Sequence, residues 1–298
     1  MKGIRTSSLF HYTDYSYLKQ IIKTGLYPNY CAEDIRFEEK GKQRGELIGV
    51  PMVSFCDIPL SRIDEFADRY GYCAIGLYKT WVDNKAINPV FYAKDPSTLE
   101  AFNTMTFIAK QLQYKAKTLD EKITLVPDGS NAEEVQFYLY SKILRERTLP
   151  LFGYVKKYQG ERTITNKDGK QTITCQNNYL ENEWRYIIPE SQTVKWLWGE
   201  NAYNRWRGDK TKPKPSPSKI LKDHTLTFNV DDISFIIVET EDQVKEMITW
   251  LSYVKKVGGD YICPKEVIES NTRRRILESV HRKLVSRVIS LEKIRIDF

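Results

Sequence analysis

Two carboxylates and a guanidinium stand at alternate positions of one short segment. Glu181, Glu183 and Arg185 are separated by single residues within 179–188. Side chains two residues apart project from the same face of an extended strand, so we predict that these groups lie together. Arg185 can hold one carboxylate ionised and leave the other free to accept a hydrogen bond from a substrate hydroxyl. The alternative is a solvated edge strand with a surface ion pair, which contributes little stability.

A histidine and a threonine form a second candidate pair near the start of the chain. Residues 8–13 are predicted to form a strand, which places His11 and Thr13 on one face and Phe10 and Tyr12 on the other. Buried polar side chains require hydrogen-bond partners. Either the fold satisfies this pair internally or a ligand does, and both interpretations stay open at the level of sequence.

A buried strand is predicted at 50–56, where Ser54 and Cys56 share a face. It runs directly into a predicted helix near Pro59. Asp57 is interpreted as the residue that caps this helix, because its side-chain oxygen can accept a free backbone N–H and proline suits the first turn.

Basic and aromatic residues alternate in the segment 196–222, which we predict to be a mobile loop. Such a mixture suits single-stranded RNA or DNA, since aromatic faces stack on bases and cations meet phosphates. It equally suits a loop that docks on an acidic protein. The residues concerned are Trp196, Trp198, Tyr203, Arg205, Trp206, Arg207, Lys210, Lys212, Lys214, Lys219 and Lys222.

Apolar spacing and turn residues predict the elements that position these groups. Further strands are predicted at 73–77, 179–188 and 233–238, with a hairpin over 154–175 that turns at 166–169. A charged loop is predicted at 33–46. Helices are predicted at 15–24, 60–69, 98–117, 131–147, 241–254 and, with a basic face, 264–291.

Composition indicates a globular protein without a membrane span. The chain has 298 residues, of which 41% are hydrophobic and 29% charged, with a formal net charge of +7. The start lacks the apolar core of a secretory signal, and no apolar stretch approaches roughly 20 residues, so we expect a cytoplasmic protein. Five dispersed cysteines without a C-x-x-C pair, and three histidines, predict no metal site.

Five sequence blocks resemble the abortive phage resistance AbiGi family. They are Leu-Phe-His-Tyr-Thr, Tyr-Leu-x-x-Ile-Ile-Lys-x-Gly, Pro-Met-Val-Ser-Phe-Cys-Asp-Ile-Pro-Leu, Tyr-Gly-x-x-x-Ile-Gly-Leu-x-Lys-x-Trp and Glu-x-Glu-Trp-Arg. They lie within 9–81 and 179–188, and a looser similarity covers 233–251. The resemblance implies a phage-defence role and a cognate toxin or antitoxin as partner.

The order of these blocks is more distantly similar to ADP-ribosyltransferase-like toxins, in which three strands surround NAD. That resemblance implies an α+β fold with a split β-sheet core in two halves, 1–95 and 151–255, a helical insertion at 96–150 and a basic helical extension at 256–298. It implies that His11 binds the NAD ribose and that Glu183 is the catalytic carboxylate. The other implied positions are Thr13, Ser54, Tyr70 and Tyr78 around NAD, and Glu181, Arg185, Trp206 and Arg207 around the acceptor.

The leading expectation is therefore a phage-defence ADP-ribosyltransferase that uses NAD as substrate and modifies a macromolecule, with nucleic acid favoured. Breaking the nicotinamide glycosidic bond develops an oxocarbenium-like charge, which a nearby carboxylate such as Glu183 stabilises without a metal. Two alternatives stay open. One is a non-catalytic antitoxin or interaction protein, and the other is a metal-dependent nuclease that uses Glu181 and Glu183.

Overall fold

The computed structural model describes residues 6–39, 42–83, 85–105, 107–108, 111, 136, 139–140, 143, 150–165, 171–191, 193–209, 211–263 and 269–297. Most of the predicted insertion at 96–150, the hairpin turn at 166–169 and residues 264–268 lie outside this set.

The described residues form an α+β fold in which most strands join one sheet. The strands are β1 (Ser8–Thr13), β2 (Asn29–Asp34), β3 (Phe37–Glu39), β4 (Lys42–Arg44), β5 (Leu47–Cys56), β6 (Cys73–Tyr78), β7 (Ile87–Pro89), β8 (Phe91–Ala93), β9 (Val155–Lys157), β10 (Gln159–Thr165), β11 (Gln171–Asn177), β12 (Glu183–Ile187), β13 (Leu197–Trp198), β14 (Ile233–Val238), β15 (Lys256–Val257), β16 (Asp260–Tyr261) and β17 (Val288–Ser290).

Short helices connect and cover the strands. In the described part of the chain, α-helices span Tyr15–Thr24, Ala67–Tyr70, Lys79–Val82, Glu200–Arg207, Lys219–Lys222, Glu241–Leu251, Ser270–Val285 and Leu291–Asp297. Residues 96–105 are also helical. Helices of the 3₁₀ type span Leu60–Phe66, Asn178–Glu181 and Val230–Asp232.

The long strand β5 joins the two halves of the main sheet, whose order is β17-β14-β6-β1-β5-β12-β7. β1 meets β5 at a single register pair, Phe10 opposite Cys56. On its other edge β5 pairs with β12 from Cys56 opposite Glu183 to Met52 opposite Ile187. The first half of β5 pairs with β2 and β13. One strand thus brings the three predicted functional segments side by side.

Alternation along these strands builds a separate core on each face of the sheet. Leu9, Phe55 and Ile75 belong to the core that also packs helices Tyr15–Thr24 and Glu241–Leu251. Phe10 and Cys56 belong to a core on the other face. Both faces are buried because helices cover each of them, which is why β5 and β6 read as nearly continuous apolar runs.

Several sequence predictions are confirmed. The strands at 8–13 and 233–238 have the predicted bounds, and helix Tyr15–Thr24 ends at Gly25, whose φ is 86°. β10 and β11 pair as the predicted antiparallel hairpin.

Three segments predicted as loop or continuous helix differ in the structure. The charged stretch 33–46 includes the end of β2 and the strands β3 and β4, because backbone pairing with β5 and between β3 and β4 does not need apolar side chains. The predicted helix at 60–69 is a 3₁₀ segment followed by one α-helical turn. The predicted basic helix at 264–291 is helical over Ser270–Val285, after which the chain forms β17 parallel to β14.

The cap assigned to Asp57 is wrong. Pro59 is the residue before the 3₁₀ helix, and no side chain caps that end. The Asp57 carboxylate instead accepts a hydrogen bond from Lys79 Nζ at 2.7 Å, so it ties the end of β5 to the helix after β6.

A substitution at Gly258 tests how closely the turn of the hairpin β15–β16 packs on the backbone of Phe228. Its φ is +60°, and a Cβ added there would lie 1.9 Å from the carbonyl oxygen of Phe228. We expect Gly258→Ala to lower the free energy of unfolding by the backbone strain of about 1–3 kcal/mol and by about 1–3 kcal/mol more for the clash.

Gly199 is the matched control for this test, because its φ is +85° but a Cβ there would meet nothing within 4 Å. Gly199→Ala should therefore cost the backbone strain alone. Urea denaturation of both variants measures the difference, and equal losses would contradict the close packing at Gly258.

Candidate functional site

Five ionic side chains, four of them buried, form a chain of alternating charge beside the centre of the sheet. In order of contact they are Glu33 of β2, Arg185 and Glu183 of β12, Lys156 of β9 and Glu181 of the 3₁₀ helix Asn178–Glu181. We call these five residues the ion cluster. Sequence separations of up to 152 residues are closed by the pairing of β2 and β12 with the same strand β5.

Arg185 lies at the centre of the ion cluster and is fully buried. Its Nε donates to Glu183 Oε1 at 2.8 Å and its Nη2 to Glu183 Oε2 at 2.9 Å, which makes a bidentate pair. Nη2 also lies 2.8 Å from Glu33 Oε1, and Nη1 donates to the Gly153 carbonyl at 2.5 Å. The planar guanidinium suits this geometry because its donors are fixed in one plane.

Lys156 joins the two carboxylates that the sequence singled out. Its Nζ donates to Glu181 Oε2 and to Glu183 Oε2, each at 2.8 Å. A metal ion bridging these two carboxylates would need the place that this ammonium group takes. Among the residues that the structure describes, no group of three or more His, Cys, Asp or Glu side chains could hold a metal ion.

Glu181 is buried although it precedes the strand. Asn182 adopts a left-handed conformation with φ 43°, so the predicted strand at 179–188 begins only at Glu183. Glu181 Oε1 accepts hydrogen bonds from the Tyr70 hydroxyl at 2.8 Å and from Gln176 Nε2 at 2.9 Å. The prediction that Glu181, Glu183 and Arg185 share a strand face is therefore wrong for Glu181, yet Lys156 still brings the two carboxylates together.

The electrostatics of the ion cluster favour its charged form at Glu183. Burial disfavours the Glu183 carboxylate, but Arg185 and Lys156 outweigh that cost and lower the pKa of Glu183 well below its usual range. Burial raises the pKa of Glu33 despite the opposing charge of Arg185. Glu183 contacts two cations whereas Glu33 contacts one, which accounts for the opposite directions.

A row of tyrosines borders the ion cluster. The backbone N–H of Glu183 donates to the Tyr92 hydroxyl at 2.7 Å. The ring of Tyr92 meets Tyr179 edge-on at 5.5 Å between centroids, and Tyr179 stacks on Tyr158 at 5.4 Å. The hydrogen bond from Glu183 to Tyr92 fixes the backbone at the start of β12.

His11 makes its hydrogen bond elsewhere on the sheet. Its Nδ1 donates to the Ser54 carbonyl oxygen at 2.8 Å, since a carbonyl can only accept, and its ring meets the edge of Phe55 at 5.9 Å. Burial lowers the pKa of His11, although the bond to Ser54 acts in the opposite direction. The histidine is thus held as a neutral ring with Nε2 as its remaining acceptor.

The structure places His11 and Glu183 on opposite faces of the sheet. Residues directly opposite each other in antiparallel strands share a face, so Phe10, Cys56 and Glu183 project to one side. His11 follows Phe10 and projects to the other side, where it meets Phe55. The backbones of β1 and β12 are separated by β5, a distance of roughly 10 Å.

The other predicted NAD positions divide between these two faces. Thr13 lies on the His11 face, whereas Ser54 lies opposite Arg185 on the Glu183 face, where its hydroxyl lies 3.4 Å from the Met52 sulfur. Tyr70 reaches the ion cluster through Glu181 and is 41% exposed. Tyr78 pairs with Ser8 at the far end of β1.

The predicted loop at 196–222 contains β13, helix Glu200–Arg207 and helix Lys219–Lys222, so the interpretation as a loop is wrong for these elements, whereas residues 208–209 and 211–218 form neither helix nor strand. Trp196 is buried and stacks on Trp198 of β13, with 5.8 Å between the ring centroids. Trp206 packs on Tyr30 at 5.1 Å. Arg207 donates to the carbonyl oxygens of Asp209 and Lys212 at 3.1 Å and 2.8 Å. Internal packing of the aromatic rings decides the structure of this segment.

Sequence reasoning missed Glu33, Lys156, Tyr92 and Gln176. Glu33 stood in a predicted loop, and Lys156 is one of many lysines in polar stretches. Their partners come from remote segments, so no local spacing signals them. The guanidinium of Arg185 has five N–H donors, more than the bidentate pair with Glu183 uses, and this excess is the clue that could have prompted a search for further acids.

An α+β sheet protein with a buried ionic centre is the class that fold and site define. Residues 24–239 match the family described as "Putative abortive phage resistance protein AbiGi, antitoxin". The chain therefore belongs to the AbiGi family.

A relative from Lactococcus lactis subsp. cremoris, the "Abortive phage resistance protein AbiGi", is 27% identical over 248 residues. The alignment covers 77% of this chain and 88% of the relative. Comparison with solved structures gives no significant match. Within the described part of the chain, each helix is too short or too polar to cross a bilayer.

Glu183→Gln tests the ion cluster as a determinant of stability. The substitution keeps the shape but leaves Arg185 and Lys156 with one anionic partner fewer, so we expect the free energy of unfolding at pH 7 to fall by about 3–5 kcal/mol. Urea denaturation measures it. Glu65→Gln is the matched control because Glu65 pairs with Arg62 at the surface, and it should cost less than about 1 kcal/mol. Equal losses would contradict the structural role.

We also expect the stability difference between the native protein and Glu183→Gln to depend on pH. The pKa of Glu183 is lower in the folded chain than the value of about 4.3 expected in the unfolded chain. Its stabilisation is therefore complete above that value and is lost as the pH falls below it. The stability difference between native protein and Glu183→Gln should shrink between about pH 5 and pH 3, as followed by urea denaturation. A constant difference across that range would contradict the assignment.

Proposed function

We propose that this protein is a non-catalytic antitoxin of an abortive phage resistance pair, which binds its cognate toxin in a stoichiometric complex. The family description and the name of the lactococcal relative support the phage-defence role. The antitoxin interpretation corresponds to the second of the functions that the sequence left open.

The closed ion cluster is the observation that carries this proposal. A catalytic carboxylate in ADP-ribose transfer must turn an oxygen toward the reacting ribose. Both oxygens of Glu183 already accept hydrogen bonds, from Arg185 and Lys156, and the residue is 6% exposed. His11, the implied ribose ligand, lies on the other face of the sheet. The residues as placed do not fit NAD between them.

ADP-ribosyl transfer from NAD is the second candidate, and the strand order favours it. β1, β5 and β12 are adjacent, as the resemblance to ADP-ribosyltransferase-like toxins implies for its three motif strands. Tyr70 is 41% exposed and its hydroxyl reaches Glu181, as does the partly exposed Arg69, so the ion cluster is connected to the surface. Activity by this route would require Lys156 to leave Glu183 when NAD binds.

A growth-rescue assay distinguishes the two functions. Cells that express the cognate toxin, identified as a protein that co-purifies with this chain from its native host, are supplied with the native chain, His11→Gln or Tyr70→Phe. These changes spare the charges of the ion cluster. The antitoxin proposal predicts that all three restore growth when chain and toxin are expressed in equal amounts, and that the purified proteins form a complex.

Measurements with NAD test the second candidate, ADP-ribosyl transfer. Isothermal titration should show no NAD binding, and labelled NAD should leave no label on toxin, RNA or DNA. The antitoxin proposal would be overturned by label transfer that both variants abolish, or by rescue at far less than one chain per toxin. Failure of the native chain to rescue or to bind the toxin would overturn it as well.

A further inference from the structure

The turn before β12 presents two large apolar side chains to solvent. Tyr179 is 49% exposed and Leu180 is 45% exposed, and they are adjacent residues of the 3₁₀ helix Asn178–Glu181. The next side chain, Glu181, turns inward and is buried. Single exposed apolar residues are common on protein surfaces, whereas an adjacent pair that the fold holds in place is typical of a contact site. We call residues 177–182 the tyrosine turn.

Hydrogen bonds hold the backbone of the tyrosine turn in one conformation. The side chain of Asn177 accepts the backbone N–H of Tyr179 at 3.1 Å, and the backbone N–H of Asn178 donates to the Tyr158 carbonyl at 2.9 Å. Asn182, with φ 43°, closes the turn by donating its N–H to the Tyr179 carbonyl at 3.2 Å. A surface that is ordered beforehand loses little conformational entropy when a partner covers it.

Ring contacts fix the Tyr179 side chain without burying it. Its ring stacks on Tyr158 with 5.4 Å between the centroids and 22° between the planes, and it meets Tyr92 edge-on at 5.5 Å. Nearly half of Tyr179 faces solvent despite both contacts. Tyrosine is enriched among the residues that dominate protein interfaces, because it offers a large, rigid apolar surface.

A cation borders the same surface. Lys94 Nζ lies 5.4 Å from the centroid of the Tyr158 ring, on which Tyr179 stacks. Lys94 is exposed and forms no ion pair within the described residues, and the neighbouring Asp95 accepts hydrogen bonds from Ser97 instead. Direct contacts thus place an apolar pair and an ammonium group on one surface, whose edge complements a carboxylate.

These features fit a protein partner better than a nucleic acid or a small molecule. Small-molecule sites are concave, whereas Tyr179 and Leu180 face outward from a turn. Leu180 offers no planar face for a base, and Lys94 by itself attracts a phosphate backbone only weakly. A complementary partner offers an apolar hollow for the two side chains and a carboxylate at its rim.

We propose that Tyr179 and Leu180, with Lys94 at their edge, are the main contacts of this protein with its cognate toxin. The two apolar side chains insert into an apolar pocket of the toxin, and acidic residues at the rim of that pocket face Lys94. Burial of the apolar pair supplies most of the affinity, and the charge speeds association. This inference rests on the proposed antitoxin function and names the surface through which that function acts.

Surface plasmon resonance of the full chain on immobilised toxin tests the proposal, with the co-purifying protein of the rescue assay as the toxin. Tyr179→Ala/Leu180→Ala should weaken binding about 30-fold or more, mostly through faster dissociation. Tyr179→Phe should bind as the native chain does, because the ring and its stacking are kept. Lys94→Gln should slow association by about two- to fivefold at low salt and have no effect at high salt.

Tyr253→Ala/Ile296→Ala is the matched control, since it also removes one tyrosine and one aliphatic side chain, which are 78% and 83% exposed. It should change affinity by less than about twofold, and circular dichroism checks that every variant is folded.

Native affinity of Tyr179→Ala/Leu180→Ala, or an equal loss in the control, would overturn this inference and leave the antitoxin function standing. Absence of toxin binding by the native chain would overturn both. Self-association of the native chain that the double substitution abolishes, with toxin binding unchanged, would instead assign the tyrosine turn to a contact between two copies of this chain.

Discussion

A fully buried guanidinium is the constraint around which this structure is organised. An arginine side chain stays charged even when it is buried, so Arg185 keeps its charge here. The free-energy cost of removing that charge from water is offset only by anions and hydrogen-bond acceptors placed around it. Four of its five N–H groups are directed at Glu183, Glu33 and the Gly153 carbonyl. These partners come from β12, from β2 and from the turn before β9. Satisfying one arginine therefore fixes the relative positions of three remote segments.

The excess of negative charge around Arg185 is met by a second cation. Glu33 and Glu183 contact the guanidinium, and Lys156 inserts between Glu183 and Glu181 to complete an alternating chain. At its end Arg69 Nη1 lies 3.5 Å from Glu181 Oε1. The burial of Lys156 and its two anionic partners act in opposite directions, and the partners prevail, raising the pKa of Lys156 well above its usual range. A network in which every charge has a partner is rigid, and it resembles a structural centre more than a site that must accept a substrate.

Sheet geometry decides on which face His11 lies relative to the ion cluster. β5 lies between β1 and β12, so the blocks that the sequence singled out are neighbours. Alternation along the strands then sends the imidazole and the Glu183 carboxylate to different faces. Adjacent strands are thus insufficient for a shared cleft, and the register of a single pair, Phe10 with Cys56, determines which side chains can meet.

The sequence by itself determined the elements whose apolar pattern and turn residues agree: the strands 8–13 and 233–238, the helix that Gly25 ends, and the membership of Glu183 and Arg185 in one strand. These depend on local periodicity, which is written in neighbouring residues. Only the tertiary structure decided that Glu33 and Lys156 complete the ion cluster, that Trp196 and Trp206 pack internally, and that Glu181 is buried before the strand begins. Polar residues acquire such roles from partners far along the chain. The free energy gained by pairing a buried charge is larger than the local secondary-structure propensity of these residues.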